Sequence, residues 1–108
     1  ADGVGLVPAL SHWLARQLPA GVPTRAQVAR YVVVSERTVA RRLQAHGTSL
    51  TGLLDQARRQ AALAAVAQGG QTFAEISRTL GFADPSTFQR AFRRWTGDTP
   101  GAWRRRHG

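Results

Sequence analysis

The sequence predicts an all-α protein of seven helices, built as two similar helical units joined by one long linker helix. Three observations lead there. Apolar residues recur at three- and four-residue steps in segment after segment, the spacing that lines one side of a helix. Most of these segments open on a side chain able to cap free backbone N–H groups, and several close on glycine. The third is a repeat: caps, apolar positions and arginines of the first half return in the second after 48 to 49 residues. A chain of 108 residues with 43% apolar content has room for one domain, or for two very small ones sharing an element.

Residues 1–6 are glycine-rich and are expected to form a frayed lead-in. Pro8 to Leu18 follows as a first helix, with Leu10, Trp13, Leu14 and Leu18 on one stripe. Pro19, Gly21 and Pro23 make a connector. Thr24 and Gln27 have the spacing of a capping box and open a short second helix through Tyr31, whose inward face is Val28 and Ala29. The run Tyr31 to Val34 has strand propensity, but Ser35 and Glu36 start a third helix at once, with Ser35 as cap. In that helix Val39 and Leu43 point one way; Arg37, Ala40, Arg41 and Gln44 form the opposite stripe.

Ser49 to Gln68 is alanine-rich and reads as the linker helix, with Leu50, Leu53, Leu54, Ala57, Ala61 and Ala65 inward; some twenty residues of helix span about 30 Å. Thr72 and Glu75 form a second capping box, opening a fifth helix with Phe73, Ile76 and Leu80 inward and Gly81 at its end. Asp84 caps the sixth helix, Pro85 suits its first position and Gly97 closes it. Its inward stripe is Phe88, Ala91, Phe92 and Trp95, and its outward stripe is Ser86, Gln89, Arg90 and Arg93. Thr99 and Pro100 begin a seventh helix carrying Trp103 inward, ending in Arg104 to Arg106, a run expected to be solvated. The expected divisions are 1–48, 49–68 and 69–108.

Fifteen arginines, no lysine and six acidic residues give a net charge of +9, which favours a polyanionic partner. An anionic membrane surface fits less well, since no helix sets a broad apolar face against a lysine-rich one. No leader or membrane-spanning stretch is evident, and a cytoplasmic location is expected. The absence of cysteine removes disulfides, thiolate nucleophiles and cysteine-based zinc sites. His12, His46 and His107 lack metal-ligand spacing, and Glu36, Glu75 and Asp84 are explained as helix-start residues. No nucleophile with its base and no phosphate loop is seen, so neither enzyme, metal nor cofactor is expected.

The repeat supplies the function. Shifted by 48, Thr24, Gln27, Val28 and Val33 fall on Thr72, Glu75, Ile76 and Gly81. Shifted by 49, Ser35, Arg37, Val39, Ala40, Arg41 and Leu43 fall on Asp84, Ser86, Phe88, Gln89, Arg90 and Phe92. Each unit is thus a capped helix, a tight turn and a second helix with a cationic outer stripe: a helix-turn-helix, here a homeodomain-like pair. The physical fit is to double-stranded DNA, whose major groove admits a helix and returns to the same side every 34 Å or so. Arginine can pair with guanine edges and glutamine with adenine, while serine bonds phosphates or base edges.

Residues from about Gln27 to Arg104 resemble the tandem helix-turn-helix domain of AraC/XylS-type bacterial transcription regulators. The residues that carry the likeness are Val28-Ala29, Ser35 to Leu43, Gly47 to Leu50, Ile76 to Phe82, Ser86 to Pro100 and Trp103-Arg104. The resemblance implies base reading by Arg37, Ala40 and Arg41 in the first unit and by Ser86, Gln89 and Arg90 in the second. It places Thr38 and Thr87 near backbone phosphates, and Gln44, Arg93 and Arg58 are added as phosphate contacts, with a structural role as the alternative for Arg58. It also implies RNA polymerase as a further candidate partner. The chain looks like an isolated or truncated domain and is expected to be monomeric, dimerisation being left to the remainder of a full-length regulator. Two departures stand out: Ala40 is a weak reader, able only to touch a thymine methyl, and Val33 occupies a position where the family usually has glycine, a β-branched residue in a left-handed turn being costly. The first turn is therefore expected to be strained or to differ in geometry. A protein-interaction module and an RNA binder are the rivals; arginines on both outer stripes argue against the first, and the inward-facing aromatics against the second.

Overall fold

The structure, a computed structural model, describes residues 2–107, with side chains from Gly5 onward. Within them the chain is helical throughout, in seven α-helices and one 3-10 turn, with no strand. The helices are α1 (Asp2–Gln17), α2 (Arg25–Val32), α3 (Glu36–Ala45), α4 (Leu50–Gln68), α5 (Phe73–Thr79), α6 (Pro85–Thr96) and α7 (Pro100–His107). The 3-10 turn, Leu18–Ala20, links α1 to the connector.

The caps act as their spacing requires. Thr24 Oγ1 accepts from the Gln27 N–H at 3.1 Å while Gln27 Oε1 accepts from the Thr24 N–H at 2.8 Å. Thr72 and Glu75 repeat the exchange at 3.0 and 2.7 Å. Ser35, Ser49 and Asp84 cap α3, α4 and α6. Such caps satisfy amides that the first helical turn leaves free, each contributing about 1 kcal/mol.

The lead-in is corrected by the structure. Helix α1 begins at Asp2 and runs through Pro8, because Leu6 and Val7 pack against the core and offset the one N–H that proline removes. Ala1, the first residue of that lead-in, and Gly108, the last of the second unit, lie outside the described residues. Val33 takes φ 66° and ψ 40°, the left-handed conformation that Gly81 takes with φ 80° in the second unit. Both turns thus place a positive-φ residue at the matched position, and at Val33 that conformation carries strain.

The buried side chains form one connected cluster. Leu10, Leu14 and Leu18 enter it from the α1 side, Val39 and Leu43 from α3, Phe88 and Phe92 from α6. Helix α4 is the element the others share: α1, α5, α6 and α7 all pack against it. Packed against four helices, α4 buries Leu53 and Ala57 as expected but then Ala62 and Val66 most completely, leaving Ala61 and Ala65 half-buried. A stripe on a straight helix drifts around its axis, and which residues it buries depends on where the neighbours sit.

Candidate nucleic-acid interface

Helices α3 and α6 expose the stripes expected of them. On α3, Arg37, Ala40, Arg41 and Gln44 are exposed, while Val39 and Leu43 on the far side are buried. On α6, Ser86, Gln89, Arg90 and Arg93 are exposed above buried Phe88, Ala91 and Phe92. Among the described residues none of Arg37, Arg41, Arg90 and Arg93 forms an ion pair. The molecule measures 43 × 23 × 20 Å, long enough in one direction to present two helices about 34 Å apart.

The first turn of each outer helix is tied by its cap. In α3, the Thr38 N–H donates to Ser35 Oγ at 3.1 Å and the Ser35 hydroxyl donates to Thr38 Oγ1 at 2.9 Å. In α6, the Thr87 N–H and hydroxyl both donate to Asp84 Oδ1, at 2.8 and 3.0 Å. Arg90 donates to Thr87 Oγ1 at 3.4 Å, a long bond that draws the guanidinium back along the helix. The backbone N–H of Thr87, chiefly, and its hydroxyl hold the Asp84 carboxyl below the usual carboxylate value, with Arg90 assisting. Thr38 and Thr87 are half-buried at helix starts, next to the exposed arginines.

Arg58, expected as a phosphate contact or a structural residue, makes its contacts within the protein. Its Nε donates to the Leu80 carbonyl at 2.9 Å, its Nη2 to the Gly81 carbonyl at 3.0 Å, and the guanidinium lies 4.5 Å over the Phe82 ring. Burial lowers its pKa, opposed by the charge of Asp55. Its two bonds satisfy carbonyls that α5 leaves free at its end, and the stacking covers the Phe82 ring. Arg104 likewise leaves the expected solvated run: its Nε donates to the Val66 carbonyl at 3.0 Å and its guanidinium lies 4.7 Å over Phe73. Arg106 pairs with Asp98, which leaves Arg105 as the one arginine of the run that is exposed without an ion pair among the described residues.

Three further features escaped the sequence reading. Asp55 on α4 accepts from Arg94 at 2.7 and 3.2 Å and from the Trp95 indole at 3.1 and 3.2 Å, fastening α6 to the linker helix. The partners are about forty residues apart in the chain, and no local spacing could announce them. Buried Ser77 donates to the Asp84 carbonyl at 3.1 Å and ties α5 to the start of α6. A cavity of about 520 Å³ opens beside α3, lined by Arg25, Arg37, Ala40 and Gln44 and by Thr48, Ser49 and Thr51 at the start of α4. No helix among the described residues is long and apolar enough to cross a membrane.

Comparison with known proteins agrees with this geometry. A family described as a helix-turn-helix domain matches residues 28–106. The HTH-type transcriptional regulator VqsM of Pseudomonas aeruginosa is 35% identical over 82 residues, which are 76% of this chain and 25% of that protein. The crystal structure of the transcriptional regulator CdpR from Pseudomonas aeruginosa is 38% identical with a TM-score of 0.72, over 77% of this chain and 26% of that one. An AraC-type regulator from Chromobacterium violaceum has the same fold, with a TM-score of 0.83 at 21% identity over 100% and 97% of the two chains. The matched stretch thus spans about a quarter of the length of VqsM and CdpR.

Proposed function

Because the chain belongs to the AraC-type family of helix-turn-helix transcription regulators, we propose that it binds double-stranded DNA sequence-specifically, with α3 and α6 in successive segments of the major groove. The observation that carries this reading is the pair of exposed arginine-bearing stripes on two helices built on the same cap-turn-cap frame. Base edges are read by Arg37, Ala40 and Arg41 from α3 and by Ser86, Gln89 and Arg90 from α6. Ala40 offers only a methyl contact to thymine, so the first unit depends on its two arginines. Thr38, Gln44, Thr87 and Arg93 meet phosphates and fix the register; Arg58 serves chiefly as a structural residue, with two of its five N–H donors on the Leu80 and Gly81 carbonyls.

The domain works as a monomer in the cytoplasm, and RNA polymerase is the partner a DNA-bound regulator would next engage. Arg90 separates this proposal from mere polyanion binding. Arg90→Ala should cost about 1–3 kcal/mol on the preferred duplex and blur one base position, whereas Arg105→Ala should weaken matched and scrambled duplexes alike. Titrations of both variants on both duplexes decide it, and equal losses everywhere would sink the assignment of α6 as a reading helix.

A further inference from the structure

We propose that the contact between Val22 and Gly81 sets the spacing between the two DNA segments the protein accepts, so that Val22 is a positioning residue for specificity. The inference rests on the DNA-binding reading above and adds to it a residue that neither outer stripe contains. Val22 lies in the connector between the Leu18–Ala20 turn and the Thr24 cap, which is to say at the entry to the first helix-turn-helix. Gly81 is the left-handed residue in the turn of the second. A Cβ on Gly81 would stand 2.5 Å from Val22 Cγ2 and 3.3 Å from Arg58 Nη2, so the connector sits directly on the glycine's backbone. The Leu18–Ala20 turn also lies against α5.

Arg58 holds the other side of the same turn. It bonds the Leu80 and Gly81 carbonyls from α4 and covers Phe82, which in turn packs on Phe88 and Trp95 of α6. The second unit's turn is therefore gripped between the linker helix and the first unit's connector. A linker helix alone leaves rotation about its own axis and bending at its ends available to the units it joins. A direct bridge from the entry of one unit to the turn of the other removes that freedom, and α3 and α6 then meet DNA at one separation and one relative angle. The bridge needs glycine on one side, since any side chain would occupy the space of the Val22 methyl.

Two measurements test this, one of them independent of DNA. In thermal melts, Gly81→Ala should lower Tm by at least about 4 °C more in the wild-type background than in a Val22→Ala background; the left-handed strain is present in both, so the difference reads the contact. Equal losses in the two backgrounds would overturn the proposal. The second measurement uses duplexes carrying the preferred sequence with one or two base pairs inserted or removed between its halves. Wild type should lose about tenfold or more in affinity on the altered duplexes, because only one unit then finds its bases.

Val22→Ala should narrow that loss severalfold while keeping affinity for the unaltered duplex, and Val22→Thr, which keeps the branched shape, should restore the wild-type profile. The same spacing dependence in Val22→Ala as in wild type refutes the positioning role. Failure of wild type to prefer any duplex refutes the DNA-binding reading instead, and the two failures are distinct.

Discussion

Replacing Val33 with glycine changes one dihedral requirement and little else. Val33 holds φ 66° and is the one residue other than glycine with a positive φ among those described. Its side chain is 84% exposed, so its removal forfeits almost no burial. The Val33 and Val34 N–H groups donate to the Ala29 carbonyl at 2.8 and 3.1 Å, and both bonds belong to the backbone and survive the change. A left-handed L-residue costs about 1–2 kcal/mol, with a β-branched one at the upper end. Glycine escapes that cost but gives back about 0.5–1 kcal/mol of backbone entropy from the unfolded chain. The net gain is about 1 kcal/mol, a rise of about 4 °C in Tm for a domain of this size. Differential scanning calorimetry at a single pH is the assay, with Val33→Asn as a second variant, since asparagine tolerates the left-handed region and keeps a side chain. If both variants melt at or below the wild-type temperature, the strain assigned to Val33 does not exist.

Other perturbations separate internal arginines from exposed ones. Arg58→Ala should cost about 2–4 kcal/mol by stripping two charged hydrogen bonds from the end of α5 and the cover from Phe82, whereas Arg42→Ala, exposed, should stay within about 0.5 kcal/mol in a urea melt. Phe88→Ala, fully buried on α6, should cost about 3–5 kcal/mol and abolish the cooperative transition before any DNA contact is tested. Carboxylates set the acid limit. Asp55 is held below its ordinary 3.8 chiefly by the Arg94 hydrogen bond, and Glu75 below 4.5 by the Thr72 N–H. A depressed folded-state pKa makes the charged form favour folding, so this stability is complete above those ordinary values and is lost as pH falls through the lower folded ones. Tm should therefore decline below about pH 4.5, and Glu75→Gln, which keeps an acceptor for the capping box, should shallow that decline; an unaltered acid limb would show that the box carries no charge-dependent stability.

Much of this protein is local, and local structure is legible in a chain. Capping boxes act over three residues, the inward stripe of α6 over one helix, and the left-handed turn at Val33 over one repeat unit; each could be read before any contact was known. The outer stripes follow for the same reason, because once Phe88 and Phe92 face inward the opposite side of α6 is fixed by geometry. The repeat then turned two weak helix readings into one strong reading of a paired fold, since matched caps and apolar positions recur at offsets of 48 and 49 residues.

Tertiary structure alone decided what the arginines do and how the two units meet. Sequence assigns Arg90 to base reading, Arg58 to phosphate or a structural role and Arg104 to a solvated run; only packing shows Arg58 and Arg104 covering aromatic rings and bonding helix-end carbonyls, with Arg90 left on the surface. Asp55 meets Arg94 and Trp95 across a long loop of chain, and Val22 meets Gly81 across a longer one. Such contacts leave no periodic mark because their spacing in sequence is set by the length of everything folded between them. Local patterning therefore determined the helices and their faces, and the shared core around α4 determined which charges remain free for a partner.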